Sequence, residues 1–178
     1  MVLEAAVLTV LPLAVAFAAA MDIFTMKIPN RISVVLVLAF FPLAFLAGLG
    51  IWEVAAHVGA GVLMLLVGFG LFACGWFGGG DAKLMAAVGL WVGFDALPLY
   101  LLSVAMAGGL IAGAFATVRS VPLPRFLLGQ SWALRLHRQD GGIPYGIALA
   151  AGALIVFPQT IATYAQPRTY GVQVSAQF

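Results

Sequence analysis

Residues 54–94 read VAAHVGAGVLMLLVGFGLFACGWFGGGDAKLMAAVGLWVGF, and this stretch decides the class of the chain. Between Val54 and Phe77 there is no Asp, Glu, Lys or Arg. A membrane-crossing helix needs about 20 mostly apolar residues, so residues 54–77 are predicted to span. Gly78, Gly79 and Gly80 follow, then Asp81 and Lys83, then a short apolar run from Leu84 to Phe94. Irregular backbone at membrane depth is tolerated only inside protein or beside water. The glycine run and the short helix after it are therefore expected to line a cavity or to lie near the interface.

The same pattern recurs outward from this stretch. Residues 2–21, 32–51, 96–118 and 143–164 are further apolar segments long enough to span. The expectation is an all-α polytopic membrane protein of about six transmembrane helices, the fourth of them short, forming one membrane-embedded domain over 1–178. Composition agrees: 64% of residues are hydrophobic and 8% charged, against roughly 45–50% and about 25% in soluble domains. That balance excludes an ordinary soluble enzyme, a disordered chain and a disulfide scaffold. A net charge of +2 gives no argument for nucleic acid, and a single cysteine, Cys74, allows neither an internal disulfide nor a thiolate zinc cluster.

Basic residues orient the spans. Lys27 and Arg31 follow the first, Lys83 the third, and Arg119, Arg125, Arg135 and Arg138 the fifth; Glu53 and Asp95 occupy the opposite connections, and Arg168 the tail. Seven of the eight basic residues thus share one side, which is expected to be the cytoplasm, with both termini outside. The first segment carries a signal-peptide-like Ala16-Phe17-Ala18, but its only early charge is Glu4 and it lacks a basic leading region. It is read as a span.

Ionisable residues beside spans are functional candidates. Asp22 stands where the first helix leaves the membrane and Asp81 follows the third, so both carboxylates emerge at the same face. Two like charges in a poorly solvated place cannot both ionise easily; such a pair titrates as a unit, and one that shares a proton can activate water. The simpler readings are that Asp22 is a solvated helix-end carboxylate and that Asp81 caps the next helix. The glycine run is no phosphate loop, since no Gly-Lys-Ser/Thr ending follows. A metal site on the two aspartates would be short of ligands.

Taken together, Asp22, Lys27-Ile28-Pro29-Asn30, Gly78-Gly79-Gly80-Asp81-Ala82-Lys83 and Pro144-Tyr145-Gly146 resemble the type IV prepilin peptidase family, polytopic aspartyl proteases of the GxGD class. The likeness extends over residues 22–146. With one cysteine and no paired Cys-x-x-Cys motifs, the chain is similar to the short, peptidase-only CpaA/TadV branch that processes Flp-type pilins, and methyltransferase activity is not expected. The resemblance implies Asp22 and Asp81 as catalytic, with Gly78, Gly79, Gly80, Lys27, Lys83, Pro144, Tyr145 and Gly146 shaping the site. It implies no cofactor and no metal. Its substrate would be a prepilin, cut between a short basic leader and a hydrophobic helix at the cytoplasmic face of a bacterial inner membrane. Membrane lipid and the pilus assembly machinery are the further partners.

Within this frame Gly78 to Gly80 are expected to let Asp81 reposition, Lys83 to anchor a helix end to headgroups, and Lys27 either to anchor or to tune a carboxylate. Asn30 is a candidate cap for the second helix, Pro144 suits a helix start, and Tyr145 is a candidate site-lining residue. His57, His137 and Cys74 are assigned structural or surface places, and Asp140 a turn. Gly89/Gly93 and Gly109/Gly113 suggest close helix packing. Residues 126–138 are weakly amphipathic and suit either the headgroup region or an ordered loop near the site. Two rival functions remain: a small transporter or channel using Asp22 and Asp81 as ion- or proton-binding carboxylates, and a non-catalytic scaffold.

Overall fold

The computed structural model describes residues 2–138 and 141–165, with side chains between 9 and 161. The described residues form an all-helical protein: α1 (Val2–Thr25), α2 (Asn30–Leu46), α3 (Ile51–Ala73), α4 (Gly79–Arg119), the short α5 (Ser131–His137) and α6 (Tyr145–Ala165), with a 3-10 turn at Arg125–Leu127. Among them, α3 and α4 are long and apolar enough to cross a membrane; α1, α2 and α6 contribute shorter apolar stretches, Thr9–Thr25, Asn30–Leu46 and Tyr145–Ile161. The outer surface is apolar too. Phe45, Trp52, Phe69 and Leu110 are each more than 60% exposed, an exterior suited to hydrocarbon and unsuited to water.

The two apolar segments 84–94 and 96–118, expected as separate helices, are arms of α4, interrupted at Gly93 (φ 68°, ψ 176°). A straight helix of 41 residues would run about 60 Å at 1.5 Å per residue. Both ends of α4 instead meet the same part of the molecule. The first turn shares a cavity with Met26, and Arg119 at the other end donates to the carbonyl of Gly142 at 2.8 Å, beside the Met26 side chain. The element therefore folds back on itself, and the reversal rests on a left-handed φ that only glycine adopts at little cost. The His57 ring fills the space where a Cβ at Gly93 would stand, 2.8 Å away. His57 is held there by its Nδ1–H, which donates to the Leu90 carbonyl at 2.8 Å, and by the Phe40 ring, 5.5 Å between centroids.

α4 is the hub. It packs most extensively on α3 and α6 and also receives α2, while α1 lies against α6 and α2. Trp91, Tyr100, Leu84 and Val88 of α4 are fully buried with Phe40, Leu36, Met64 and Leu149, and the Trp91 indole N–H donates to the Leu36 carbonyl at 2.9 Å. Small residues bring α3 and α4 close: a Cβ at Gly89 would stand 2.6 Å from Met64, and one at Gly68 2.9 Å from Ala82. The Gly89/Gly93 spacing thus serves packing within the chain. Gly109 and Gly113 face open space, with nothing within 4 Å.

These glycines should separate cleanly in unfolding titrations in detergent. Gly93→Ala adds a strained φ and a clash with His57, and is expected to destabilise by on the order of 2 kcal/mol. Gly109→Ala, in an open helical position, should stabilise by about 0.5–1 kcal/mol.

Candidate active site

Asp22 lies in the last turn of α1 and is 5% exposed. Its Oδ2 accepts the backbone N–H of Gly146 at 2.7 Å, across 124 residues of chain. Only glycine serves at 146, because a Cβ there would stand 2.8 Å from that oxygen and 2.9 Å from Ile28. α1 then ends at Met26, whose φ of 55° is left-handed and whose N–H donates to the Asp22 carbonyl at 2.8 Å. The turn carries Lys27, Ile28 and Pro29 back across the site. Ile28 is buried and packs so closely on Gly80 that a Cβ there would meet its Cβ at 3.0 Å.

Asp81 is 9% exposed and occupies the third position of α4, with Gly78 as the capping residue. Its Oδ2 accepts the Gly78 N–H at 3.0 Å, while its buried Oδ1 has no protein partner. Asp22 and Asp81 line one cavity of about 280 Å³ together with Met26, Lys27, Ile28, Gly78, Gly79 and Gly80. Among the described residues no group of three or more His, Cys, Asp or Glu side chains is arranged to hold a metal ion.

Asp22 and Asp81 stand in the end turns of α1 and α4, just beyond the uninterrupted apolar runs that end at Met21 and begin at Leu84. Burial, above all, pushes the Asp81 carboxyl up to about 6; the charge of Asp22 adds to the rise and the Gly78 N–H opposes it. Burial likewise raises Asp22, opposed by the Gly146 N–H. Two acids in one cavity with raised affinities are suited to holding one proton between them up to about pH 6.

Several expectations change at this level. Gly79 and Gly80 belong to the first turn of α4, so Asp81 is fixed by a helix and does not ride on a flexible run. Asp81 is not the N-terminal capping residue of α4, which is Gly78, but it does serve the cap from the third position, where its carboxylate accepts the Gly78 N–H. Asn30 does not cap α2: the capping residue is Pro29, which offers no side-chain hydrogen bond. Asn30 Oδ1 instead accepts from the Lys83 ammonium at 3.0 Å, tying α4 to α2. Lys27 is exposed at the wall of the cavity, whereas Lys83 is absent from its lining. Tyr145 is also absent from it; its half-buried ring packs on Phe77 with centroids 5.1 Å apart. Pro144 is buried and directly precedes α6. Cys74 is exposed at the end of α3 and not packed, and His137 is half-buried. Asp140 and Arg168 lie outside the described residues.

The segment 126–138 is an ordered piece beside the site. Trp132 of α5 meets Phe24 edge-on at 5.7 Å, and Arg135 donates to the Phe24 carbonyl at 2.5 Å. Arg119 binds the Leu136 carbonyl at 2.9 Å as well as that of Gly142. The end of α1 is thereby covered by the connection between α4 and α6. The arginine contacts go to backbone carbonyls, which leave no residue-type signature in the sequence.

Two buried aspartates from separate helices facing one cavity define a helical protein with a candidate acid–base pair. Comparison with known families gives the class: residues 9–113 match the type IV leader peptidase family. That stretch is more than half of the chain, and the protein belongs to this family. Membership implies an aspartic protease of the prepilin peptidase type, with prepilins as its substrate class. The matched stretch holds Asp22 and Gly78 to Asp81 and ends before α6. No curated protein and no solved structure matches the chain.

The raised affinity of Asp81 for its proton has a thermodynamic consequence. Between about pH 4 and pH 6 the folded state binds more protons at this group than the unfolded state, so stability falls as pH rises through that window and stays lowered above it. Asp81→Asn removes this cost. The variant should be more stable than wild type at pH 7.5 by roughly 1–3 kcal/mol, and the gap should close below about pH 4, in parallel unfolding titrations.

Proposed function

We propose that this protein is a membrane-embedded endopeptidase that removes the short leader of a type IV prepilin of the Flp class, with Asp22 and Asp81 activating water. The observation that carries the proposal is the shared cavity of the two buried aspartates in a chain of the leader peptidase family. The Gly146 N–H favours charge on Asp22, and the partnerless Oδ1 of Asp81 suits a proton. In the productive state Asp22 takes a proton from water as the oxygen attacks the scissile carbonyl. Asp81 gives its proton to the carbonyl oxygen. Collapse of the tetrahedral diol breaks the C–N bond: the proton held by Asp22 passes to the leaving amine, and one diol hydroxyl returns its proton to Asp81 as the carbonyl re-forms, which restores the starting pair. No covalent intermediate forms.

The cavity sits among the turns that carry Lys27, Arg31 and Lys83, and beside the connection that carries Arg119, Arg125 and Arg135. By the positive-inside rule this end of the bundle is the cytoplasmic one in a bacterial inner membrane. About six spans, with the arms of α4 counted separately, put both termini outside. A prepilin's leader would then lie in the cytoplasm while its hydrophobic helix lies in the bilayer, which brings the scissile bond to the depth of the cavity. Exposed Lys27 is a headgroup anchor. The positions at helix ends, around one cavity, suit hydrolysis better than the mid-span carboxylates of a transporter.

The test is cleavage of a purified Flp-type prepilin in detergent. Asp22→Asn and Asp81→Asn should each lower the rate at least about 1,000-fold while remaining folded; survival of activity in either would remove that residue from the chemistry. Gly146→Ala keeps both carboxyls but displaces Asp22, and a shift of about 1 Å costs on the order of 100-fold. The singly protonated pair is the active form, so the rate is lost as pH rises through its upper titration and again as pH falls through the lower one. With Asp81 raised to about 6, the alkaline limb of kcat/KM should stand near pH 6, well above the range of a lone carboxylate.

A further inference from the structure

A second cavity, about twice the volume of the one at the aspartates, lies away from them. It is a groove of about 560 Å³ in the wedge between α2 and α3, which both lean on α4 and scarcely touch each other. Its walls are hydrocarbon, with Val37, Phe41, Val62, Leu65 and Leu90 among them. One end is polar and carries Asn30, Ser33 and Lys83. Ser33 is only 7% exposed and its Oγ has no partner. The Lys83 ammonium has three donors and gives one to Asn30. The groove thus ends in a cation with donors to spare and an unsatisfied buried hydroxyl, both at the level where α2 and α4 begin.

The groove does not lead to the aspartates. Residues two apart on a helix do not share a face, so Lys83 and Asp81 point to different sides of α4, and the groove and the aspartate cavity have no lining residue in common. Its size also narrows the occupant. From Ser33 to Phe41 the α2 wall rises about 12 Å, whereas a helix is itself 10–12 Å thick and needs a trough along its whole length. A volume of this order is that of a small-ligand site, and the walls are too apolar for a water-soluble one.

We propose that the groove binds one anionic glycerophospholipid. The acyl chain lies along Val37, Phe41, Val62 and Leu65, the phosphate meets the Lys83 ammonium, and the Ser33 hydroxyl donates to an ester carbonyl. This rests on the membrane placement of the protein and not on its peptidase activity. The experiment is native mass spectrometry of the purified protein in micelles doped with equal amounts of dioleoylphosphatidylglycerol and dioleoylphosphatidylcholine. Wild type should retain one phosphatidylglycerol, preferred about fivefold, the contribution of one lysine near a membrane surface. Lys83→Gln should bring the preference to about one, and Ser33→Ala should weaken retention of both lipids. Val62→Trp, or Val37→Trp where the first variant fails to fold, should fill the groove and abolish retention with helix content unchanged. No retained lipid, equal retention by wild type, an undiminished preference in Lys83→Gln, or displacement of the lipid by a leader-plus-helix prepilin peptide would each overturn the proposal. The readout needs no substrate, so an inactive protein that holds phosphatidylglycerol fails as a peptidase and keeps this site. An active protein that holds none does the reverse.

Discussion

The hydrogen bond from the Gly146 amide to the Asp22 carboxylate is the constraint around which the rest is arranged. A carboxylate taken out of water needs a donor, and in this bundle the donor comes from the far end of the sequence. Gly146 stands in the first turn of α6, where backbone N–H groups have no helical partner and the dipole favours a negative charge. Asp81 is served in the same way by Gly78 at the start of α4. Each acid therefore meets one amide at a helix N-terminus, which favours the charged form, within a burial that opposes it. The outcome is a pair whose Asp81 member titrates near pH 6, well above an ordinary carboxyl.

Holding that poise requires features that cost stability. Met26 takes a left-handed φ where a helix terminus usually uses glycine, a cost of about 1 kcal/mol or more. Asp81 keeps an oxygen without a partner. The offsetting contribution comes from dense packing on α4, where Trp91, Tyr100, Leu84 and Val88 are all buried. The reversal at Gly93 makes this economical in chain length, because one element supplies both the Asp81 turn and, at Arg119, the side chain that fixes the segment before α6. Where the pair needs rigidity, the sequence supplies close contacts of glycine with backbone or Ile28; where it needs access, the cavity stays open beside exposed Lys27.

Much of this was legible before any coordinates. Long apolar runs marked the helices, since only a helix satisfies its backbone within one such segment, and the chemical candidates stood out because Asp22 and Asp81 are two of only six acidic residues. Two helix ends emerging at one face put them at similar depth; that they line one cavity is seen only in the folded chain. Less visible were features carried by backbone. The Gly78–Gly80 run looked like a flexible turn, yet Gly79 and Gly80 are helical, because tertiary contact with Ile28 selects glycine there for its size. Asn30 looked like a cap, but Pro29 already starts α2, and the amide side chain was drawn into a contact with Lys83, fifty-three residues away. Tyr145 had the chemistry of a site residue and packs on Phe77, while its neighbour Gly146, which has no side chain at all, supplies the group that touches Asp22.

That last contrast bears on how such a site tolerates change. A donor that is a backbone amide is removed only by proline; every other substitution can only displace it, so what matters at 146 among the remaining residues is volume and not side-chain chemistry. Asp22, Ile28 and Gly146 close on one another at 2.8–2.9 Å for any added carbon, which leaves this corner no room. The Asp81 side is nearly as tight: a carbon added at Gly78 would stand 3.0 Å from Asp81 Oδ2 and one at Gly80 3.0 Å from Ile28, and only at Gly79 is the contact, 3.7 Å to Phe72, an ordinary one. Ile28 thus presses on both halves of the pair. The Asp22 half is clamped between the first and last helices, and the Asp81 half is set by its own helix turn against the same isoleucine.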